Sequence, residues 1–460
     1  MTKLNFQEIL KKIKPSEKEL NEEQSFVSGL VERIKKTEGK HVDVVLAGSL
    51  SRNTHLKGDR DIDLFLLFEK KLSRKEFEEE GLRLGKKIFK GNKWEKAYSE
   101  HPYIRGEING FKVEIVPSYK IDSTEELQSS VDRTPFHTKY LLEKLKENQK
   151  DEVRLLRQFM KGTKTYGADL KSNSFPGYIT ELLILKYGAF LNALKEAGKW
   201  KRNTVIDLEN HYPFIEDAKK KFDSHLIVVD PTDYSRNVAA ALSFNQYARF
   251  VAAARAFLKN PGEKFFFGGK EKPMNLSKIK KLLSEEELVA VKMNYPSKAL
   301  PDLIWGQLNR LSKRIEGAVK ENNFQIFRES HWTDEKHVII FLLSVENLVI
   351  QKIYKRVGPE VLAEVHSEKF LLSHKKPVSG PRIENGRWVL ETFRKYFDAR
   401  TLLKDELKKM KKESKKDMKR ALISAKVVSE KDLIELYKKN KEFQKYFTQF
   451  LKGKEEFLDY

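Results

Sequence analysis

Three acidic residues in the first quarter of the chain have the types and the spacing needed to hold metal ions. Asp61 and Asp63 are two positions apart in the apolar stretch 61–68, which predicts a β-strand. Side chains alternate across a strand, so both carboxylates lie on one face. Two close carboxylates repel each other unless a cation neutralises them, and Mg²⁺ takes oxygen ligands of this kind. The aspartate pair therefore predicts a magnesium site.

A third carboxylate, Glu114, lies among apolar residues on the second arm of a hairpin predicted from Asn109-Gly110. A neighbouring strand would bring it against the aspartate pair. Three carboxylates can hold two metal ions, of which one activates an attacking hydroxyl and the other holds a triphosphate and its leaving group. Glu107 and Asp122 are the alternative acids for this position.

A phosphate site is predicted shortly before the first aspartate, where Gly48-Ser49 follows one strand and opens a short helical turn. Such a turn offers backbone N–H groups and the positive helix end to phosphate. Gly48 permits close approach of the backbone, the Ser49 hydroxyl adds a donor, and Arg52 follows one turn later. An ordinary turn with a helix cap is the simpler interpretation of Gly-Ser alone.

These residues must be positioned by a small α+β unit. Residues 4–38 have helical periodicity, and the pattern then changes to strand, turn, strand, helix and hairpin. The predicted elements are a strand at 42–47, a helical turn at 48–54, a strand at 61–68, a helix at 74–90 and a hairpin at 104–116 that Pro117 ends.

The rest of the chain is predicted to be mainly helical, with some strands. Helical patterns cover 153–160, 178–194 and 238–258, strands are clearest at 338–345 and 348–353, and 402–460 is helical and Lys-rich. We therefore expect a catalytic region at 1–140, a helical central region at 141–262, an α+β region at 263–402 and a basic helical region at 403–460.

Composition favours a polyanionic partner. The chain has 89 Lys and Arg against 67 Asp and Glu, a net charge of +22, and no cysteine. An excess of this size is typical of nucleic-acid binding. Without cysteine, disulfides and thiolate metal sites are excluded. No signal peptide and no apolar run of about 20 residues is evident, so we expect an intracellular, cytoplasmic protein. A Walker-type loop is also absent.

The combined motifs resemble the archaeal-type, class I CCA-adding enzymes of the DNA polymerase β-like nucleotidyltransferase superfamily. The similarity covers roughly residues 5–400. The stretches that carry it are 47–54, 56–65, 101–103, 131–137, 153–156, 166–167, 177–183, 229–239 and 383–388.

The resemblance implies an α+β, multidomain fold with a polymerase β-like palm, a helical central domain, an α+β body and a helical basic tail. It also implies that the three carboxylates bind metals, where Glu114 replaces the family's usual Asp, and that Arg157 replaces a common Lys. The residues that match the family's nucleotide contacts are Gly48, Ser49, Arg52, His137, Arg157, Tyr166, Arg236 and Asn237. Without the family match, Arg236 would instead form a helix-end ion pair with Asp230.

The activity implied is addition of CCA to the 3′ end of tRNA from CTP and ATP, by in-line attack with release of pyrophosphate and two Mg²⁺ ions. The implied partners are the acceptor and TΨC arms of tRNA and a second copy of the chain. Alternatives are a poly(A) polymerase or oligoadenylate synthetase, and a relative that binds RNA without catalysis. A small-molecule nucleotidyltransferase would not need so basic a C-terminal half.

Overall fold

The computed structural model describes residues 4–38, 42–98, 100–167, 169, 171–269, 272–297, 299–414 and 416–458. Its contacts divide the chain into two compact units. The first is Met1–Lys270 with Glu455–Tyr460, and the second is Glu271–Lys454. The four regions expected from the sequence are a finer division and stay a prediction. No helix within the described ranges is long and apolar enough to cross a membrane.

The first unit begins with helices and a mixed sheet. Its elements in this part are α1 (Phe6–Ile13), α2 (Glu17–Glu38), β1 (Asp43–Ala47), α3 (Gly48–Ser51), β2 (Asp61–Phe68), α4 (Arg74–Ile88), β3 (Trp94–Tyr98), β4 (Pro102–Ile108) and β5 (Phe111–Tyr119). The strand order is β1-β2-β5-β4-β3, with β2 and β5 parallel and the other neighbours antiparallel. Alternation in β2 buries Ile62, Leu64 and Leu66 in one core, so the odd-numbered residues occupy the opposite face.

Most elements predicted for this part are confirmed, but two differ. The strand β3 was not predicted. Pro117 does not end the hairpin arm, because β5 continues to Tyr119. The backbone N–H groups of the even-numbered Lys112 and Lys120 point toward β2. Backbone groups alternate in direction along a strand, so the nitrogen of the odd-numbered Pro117 points toward β4. The pairing with β4 ends at Ile115, and Pro117 therefore loses no ladder hydrogen bond there.

The remainder of the first unit is helical around a small sheet. Its elements are α5 (Arg133–Lys144), α6 (Glu147–Gly162), α7 (Gly177–Tyr187), α8 (Phe190–Ala197), β6 (Thr204–Ile206), α9 (Ile215–Lys221), β7 (Leu226–Asp230), β8 (Asp233–Asn237), α10 (Phe244–Lys259) and α11 (Lys264–Phe267). The sheet β6-β7-β8 was not predicted. The helix predicted at 178–194 is two helices, because Gly188 ends α7 at φ +83°. The helix predicted to begin at 238 begins at Phe244, after the N-cap Ser243.

The second unit contains two further sheets, β10-β11-β9-β15 and β12-β14-β13. Its elements are α12 (Leu276–Glu285), β9 (Glu287–Asn294), α13 (Pro301–Glu321), β10 (Ile326–Thr333), β11 (Val338–Val345), β12 (Ile353–Glu360), α14 (Glu364–Ser373), β13 (Ser379–Glu384), β14 (Arg387–Phe393), α15 (Ala399–Glu413), α16 (Lys416–Ile423), β15 (Lys426–Val428), α17 (Glu430–Lys439) and α18 (Lys441–Lys452). The strand at 338–345 and the helical character after 402 are confirmed. A strand at 348–353 is wrong, since only Ile353 lies in β12.

One buried arginine fixes the loop that joins α3 to β2. Arg154 on α6 is only 1% exposed. Its Nε donates to the His55 carbonyl at 3.0 Å, and its Nη2 donates to the backbone and side-chain oxygens of Asn53 at 2.6 Å. The loop backbone therefore gets its hydrogen bonds from a helix rather than from water.

We expect Arg154→Ala to lower the free energy of unfolding by about 3–5 kcal/mol, because buried acceptors lose a charged donor. Urea denaturation followed by circular dichroism measures the change. The control is Arg83→Ala, which removes an arginine paired with Glu80 at the surface and should change stability by about 0.5 kcal/mol or less. Equal effects of the two substitutions would contradict the buried role.

Candidate active site

The sheet brings the predicted metal-binding carboxylates to one face. Asp63 on β2 and Glu114 on β5 are register partners in neighbouring parallel strands. Asp61 lies two positions before Asp63 and is therefore on the same face, where its Oδ1 is 3.6 Å from Lys112 Nζ. Glu107 is one strand further away, paired with Lys112 across the β4–β5 hairpin. The register thus favours Glu114 over Glu107 as the third carboxylate.

At both Asp63 and Glu114, burial and like charge outweigh the nearby arginines. Burial and repulsion from Asp61 raise the pKa of Asp63 to about 6. Burial and repulsion from Asp63 raise the pKa of Glu114 to about 7, although Arg105 and a hydrogen bond with Tyr103 act in the opposite direction. Because desolvation and like charge both favour the neutral acids, a cation placed between these carboxylates would stabilise their ionised forms.

A cleft of about 950 Å³ opens in front of these carboxylates. Asp61, Asp63 and Glu114 line it together with Arg105, Lys112 and Asp169. The cleft therefore places acids and exposed cations in one concavity, which suits a ligand that carries both metal ions and phosphates.

Gly48 lies directly against the acidic pair. Its φ of +71° is in the left-handed region that favours glycine. A methyl group at this position would overlap the Asp63 carboxylate. The turn of α3 that carries Ser49 is therefore in contact with the carboxylate face, while its role as a phosphate site stays a prediction.

Arg52 is held by an acid that the sequence did not single out for a role. Its Nε and Nη2 donate to the two carboxylate oxygens of Glu181 at 2.9 and 2.8 Å. The Thr54 hydroxyl also donates to Glu181, at 2.6 Å. The third nitrogen, Nη1, donates to the Ser51 hydroxyl at 3.4 Å. All three guanidinium nitrogens are thus engaged, and a phosphate contact by Arg52 would replace this long Nη1 bond or require the ion pair to open.

Arg157 has no such partner. The residue is 2% exposed, and no carboxylate lies within 4.0 Å of its guanidinium among the described residues. Its Nε lacks a hydrogen-bond partner within the same residues. Its guanidinium carbon lies 5.7 Å from the ring centre of Tyr166, and Gly177 leaves room beside both groups. A buried arginine without an anion is costly, so this pair is suited to accept one from a ligand.

His137 and Arg236 meet at a shared carboxylate, Asp230. His137 Nε2 and Arg236 Nη1 are each 2.8 Å from Asp230 Oδ2, and His137 stacks on Tyr178 with ring centres 4.1 Å apart. Burial raises the pKa of Asp230, but its hydrogen bonds and charged neighbours outweigh burial and hold that pKa well below its usual range. Burial lowers the pKa of His137, although its hydrogen bond with Asp230 acts in the opposite direction.

The ion pair between Asp230 and Arg236 exists, but it lies in the β7–β8 hairpin and not at a helix end. Asn237, the next residue, is engaged with the hairpin itself. Its Oδ1 accepts from the N–H groups of Val228 and Ala239, and its Nδ2 donates to Leu226 O. The structure thus gives Asn237 a role in holding Arg236, and a nucleotide contact by Asn237 stays a prediction.

Sequence reasoning missed the residues that support the predicted contacts. Glu181 holds Arg52, Asp230 holds His137 in addition to the Arg236 that the sequence had paired with it, and Arg154 holds the preceding loop. The signal was present, because Arg154 and Glu181 are charged residues within apolar helical patterns and are therefore candidates for buried ion pairs. Their partners, however, lie far away in the sequence.

Three family models match successive parts of the chain. Residues 27–137 match "Nucleotidyltransferase domain", residues 151–267 match "tRNA nucleotidyltransferase, second domain", and residues 286–430 match "CCA-adding enzyme, C-terminal domain".

Curated relatives match over most of the chain. A CCA-adding enzyme of Methanocaldococcus jannaschii is 38% identical over 382 residues, which cover 80% of this chain and 83% of the relative. The chain belongs to the CCA-adding enzyme family. A CCA-adding enzyme of Saccharolobus islandicus is 36% identical over 401 residues, 87% of this chain and 91% of the relative. Among solved structures, the Cid1 poly(U) polymerase with Mg and 3′-dATP bound is 16% identical, with a TM-score of 0.46 and coverage of 57% of this chain and 98% of that chain.

Membership of the CCA-adding family makes this a nucleotidyltransferase with a polymerase β-like fold, and the superfamily uses divalent metal ions. The carboxylates fit such ions by their register and by the raised pKa values of Asp63 and Glu114. The three carboxylates do not converge on one position, however. Within the described ranges, no group of three or more His, Asp or Glu side chains is arranged to hold a metal.

We expect Asp63→Asn to stabilise the metal-free CCA-adding protein by about 1–2 kcal/mol at pH 8. A raised pKa means that folding favours the protonated acid, so stability is lost as the pH rises from the ordinary 3.8 through about 6. Asparagine does not ionise and escapes this loss. Thermal unfolding with a chelator measures the gain, which should shrink between pH 6 and pH 4. Asp61→Asn, at an exposed position, is the control, and an equal gain there would contradict the argument.

Proposed function

We propose that this chain adds and repairs the 3′-terminal CCA of tRNA, using CTP and ATP and releasing pyrophosphate. The observation that carries the proposal is its similarity to CCA-adding enzymes over at least 80% of its length. The composition of the first unit supports the same conclusion, because it contains the acids of the cleft, a turn suited to phosphate and a buried arginine that has no carboxylate partner among the described residues.

We place the triphosphate between the turn of α3 and the Arg157–Tyr166 pair. Ser49 offers its hydroxyl and the backbone N–H groups of a turn, which suit phosphate oxygens. Arg157 is a buried cation without an anion, so a phosphate would remove an energetic cost as well as form a charge-assisted hydrogen bond. Tyr166 lies against the guanidinium and limits where it can point.

Asp61, Asp63 and Glu114 are the residues that we propose to hold the metal, with two Mg²⁺ ions as the expected occupants. Bound divalent ions would favour ionisation of the attacking hydroxyl and neutralise the triphosphate. Glu114 is one methylene longer than the family's usual Asp. Here its carboxylate has Arg105 opposite it on β4 and interacts with Tyr103, and these two residues orient the longer side chain.

Selection of the base is assigned to Arg236. An arginine only donates hydrogen bonds, so it suits the acceptors of cytosine and adenine and not the N1 donor of guanine. Asp230 accepts a hydrogen bond from Arg236 Nη1, and His137 Nε2 contacts the same carboxylate oxygen. The contacts of tRNA with its acceptor and TΨC arms, the homodimer and the cytoplasmic location stay predictions of the family resemblance.

The deciding experiment is incorporation into tRNA that ends at the discriminator base. We expect two cytidines with CTP alone, and one further adenosine when ATP is added. Asp61→Ala should slow incorporation roughly 10²–10³-fold, because several kcal/mol of charge stabilisation is lost. Long adenosine tails with ATP alone would instead indicate a poly(A) polymerase, and tRNA binding without incorporation would indicate a non-catalytic relative.

Arg157→Ala should raise the KM for CTP about 10–100-fold, because a charge-assisted phosphate contact is worth about 1.5–3 kcal/mol. Arg157→Lys should keep most of the affinity, since the charge remains. The control is Arg249→Ala, which removes an arginine that is already paired with Glu455. Steady-state kinetics with saturating tRNA measures all three variants. An unchanged KM in Arg157→Ala would contradict the assignment of Arg157 to the triphosphate.

A further inference from the structure

A cluster of rings and one lysine lies beside the strand that carries Arg236. We call it the Tyr234 platform, and it consists of Tyr212, Lys221, Phe222 and Tyr234. Lys221 Nζ is 4.9 Å from the ring centre of Tyr234 and 5.6 Å from the ring centres of both Tyr212 and Phe222. Tyr234 is nevertheless 53% exposed. The platform thus presents an aromatic ring to solvent with a cation next to it.

Contacts beneath the exposed ring hold the platform in place. The Tyr212 hydroxyl donates to the Tyr234 carbonyl at 2.7 Å, and the Tyr212 N–H donates to Asp207 at 2.9 Å. Tyr212 and Phe222 pack edge to face with ring centres 6.0 Å apart. A ring whose backbone and neighbours are fixed loses little freedom when a ligand stacks on it, so the platform is preorganised.

The charge of Lys221 is not compensated by the protein. Its neighbours on α9 form ion pairs, Lys219 with Glu216 and Lys220 with Asp217. For Lys221 no ion pair is present among the residues that the structure describes. A cation held by rings, with no carboxylate, can bind a phosphate without first breaking a salt bridge.

Tyr234 is also close along the chain to the residue assigned to base selection. It is two positions before Arg236 on the short strand β8. The triphosphate already has a proposed partner in Arg157. A further uncompensated cation beside an exposed ring therefore points to a second phosphate and a second base.

We propose that the Tyr234 platform binds one nucleotide of the RNA substrate near its 3′ end, with the base stacked on Tyr234 and the phosphate next to Lys221. The inference rests on the proposed function, in which the RNA 3′ hydroxyl must lie against the incoming nucleotide. Aromatic rings with interleaved cations are the chemistry by which proteins bind single-stranded RNA without reading its sequence.

The test measures binding of tRNA that ends at the discriminator base, without nucleotide, over a series of salt concentrations. Tyr234→Ala should weaken binding roughly tenfold, and Tyr234→Phe should retain wild-type affinity within about twofold, because the ring remains. Lys221→Ala should reduce the slope of log affinity against log salt by about 1, and Lys221→Arg should keep it. Circular dichroism establishes that each variant is folded.

The control variant is Phe267→Ala. Phe267 is a 43% exposed ring with Lys12 Nζ 5.3 Å from its centre, but Lys12 is paired with Glu263 at 2.9 Å. It should bind tRNA like the wild type, and equal losses in Phe267→Ala and Tyr234→Ala would overturn the proposal.

The KM for CTP shows whether the base that stacks on Tyr234 belongs to the RNA or to the incoming nucleotide. We expect it to stay within about twofold in Tyr234→Ala. A raised KM with unchanged tRNA binding would overturn the assignment to RNA and give the platform to the incoming nucleotide. Because tRNA binding is measured without catalysis, failure of the wild type to incorporate cytidine would count against the proposed function and not against the platform.

Discussion

The organisation of the first unit depends on two carboxylates held side by side, where burial and like charge outweigh the nearby arginines. The parallel pairing of β2 and β5 places Asp63 next to Glu114, and burial makes the ionised forms of both unfavourable. A fold selected for stability alone would place an amide or an apolar residue here. The sheet instead keeps two acids whose ionised forms a bound cation would stabilise. Acids with pKa values raised in this way are typical of functional sites.

The surrounding helices keep this arrangement from relaxing. The loop between α3 and β2 is tied by Arg154 at its centre and by the Arg52–Glu181 pair at its start, while Lys161 binds Asp59 near its end. Each tie joins the sheet to a helix of the same unit. Burying two acids side by side lowers the stability of the fold. Several buried hydrogen bonds offset this loss together, rather than the bonds of a single turn.

The sequence allowed local structure to be predicted where its period was clear, as in β2, α4 and the Asn109-Gly110 hairpin. It also placed Asp61 and Asp63 on one face, because alternation along a strand is a local rule, whereas the position of Glu114 beside them depends on the β2–β5 register. The edge strand β3 and the sheet β6-β7-β8 were missed, because short strands have little periodicity of their own and are stabilised by distant partners. The same reason hid the contact of Asp230 with His137, which lies 93 residues away, whereas its pairing with Arg236, six residues away, was predicted.

The contact between Gly48 and Asp63 has a thermodynamic consequence. The turn proposed to bind phosphate and the strand proposed to hold the metal touch with no room for even one methyl group between them. A displacement of either one must move the other, so occupancy of one proposed site would change the free energy of filling its neighbour. Linkage would make that effect reciprocal, and nucleotide and metal would then bind as mutual effectors rather than as independent ligands.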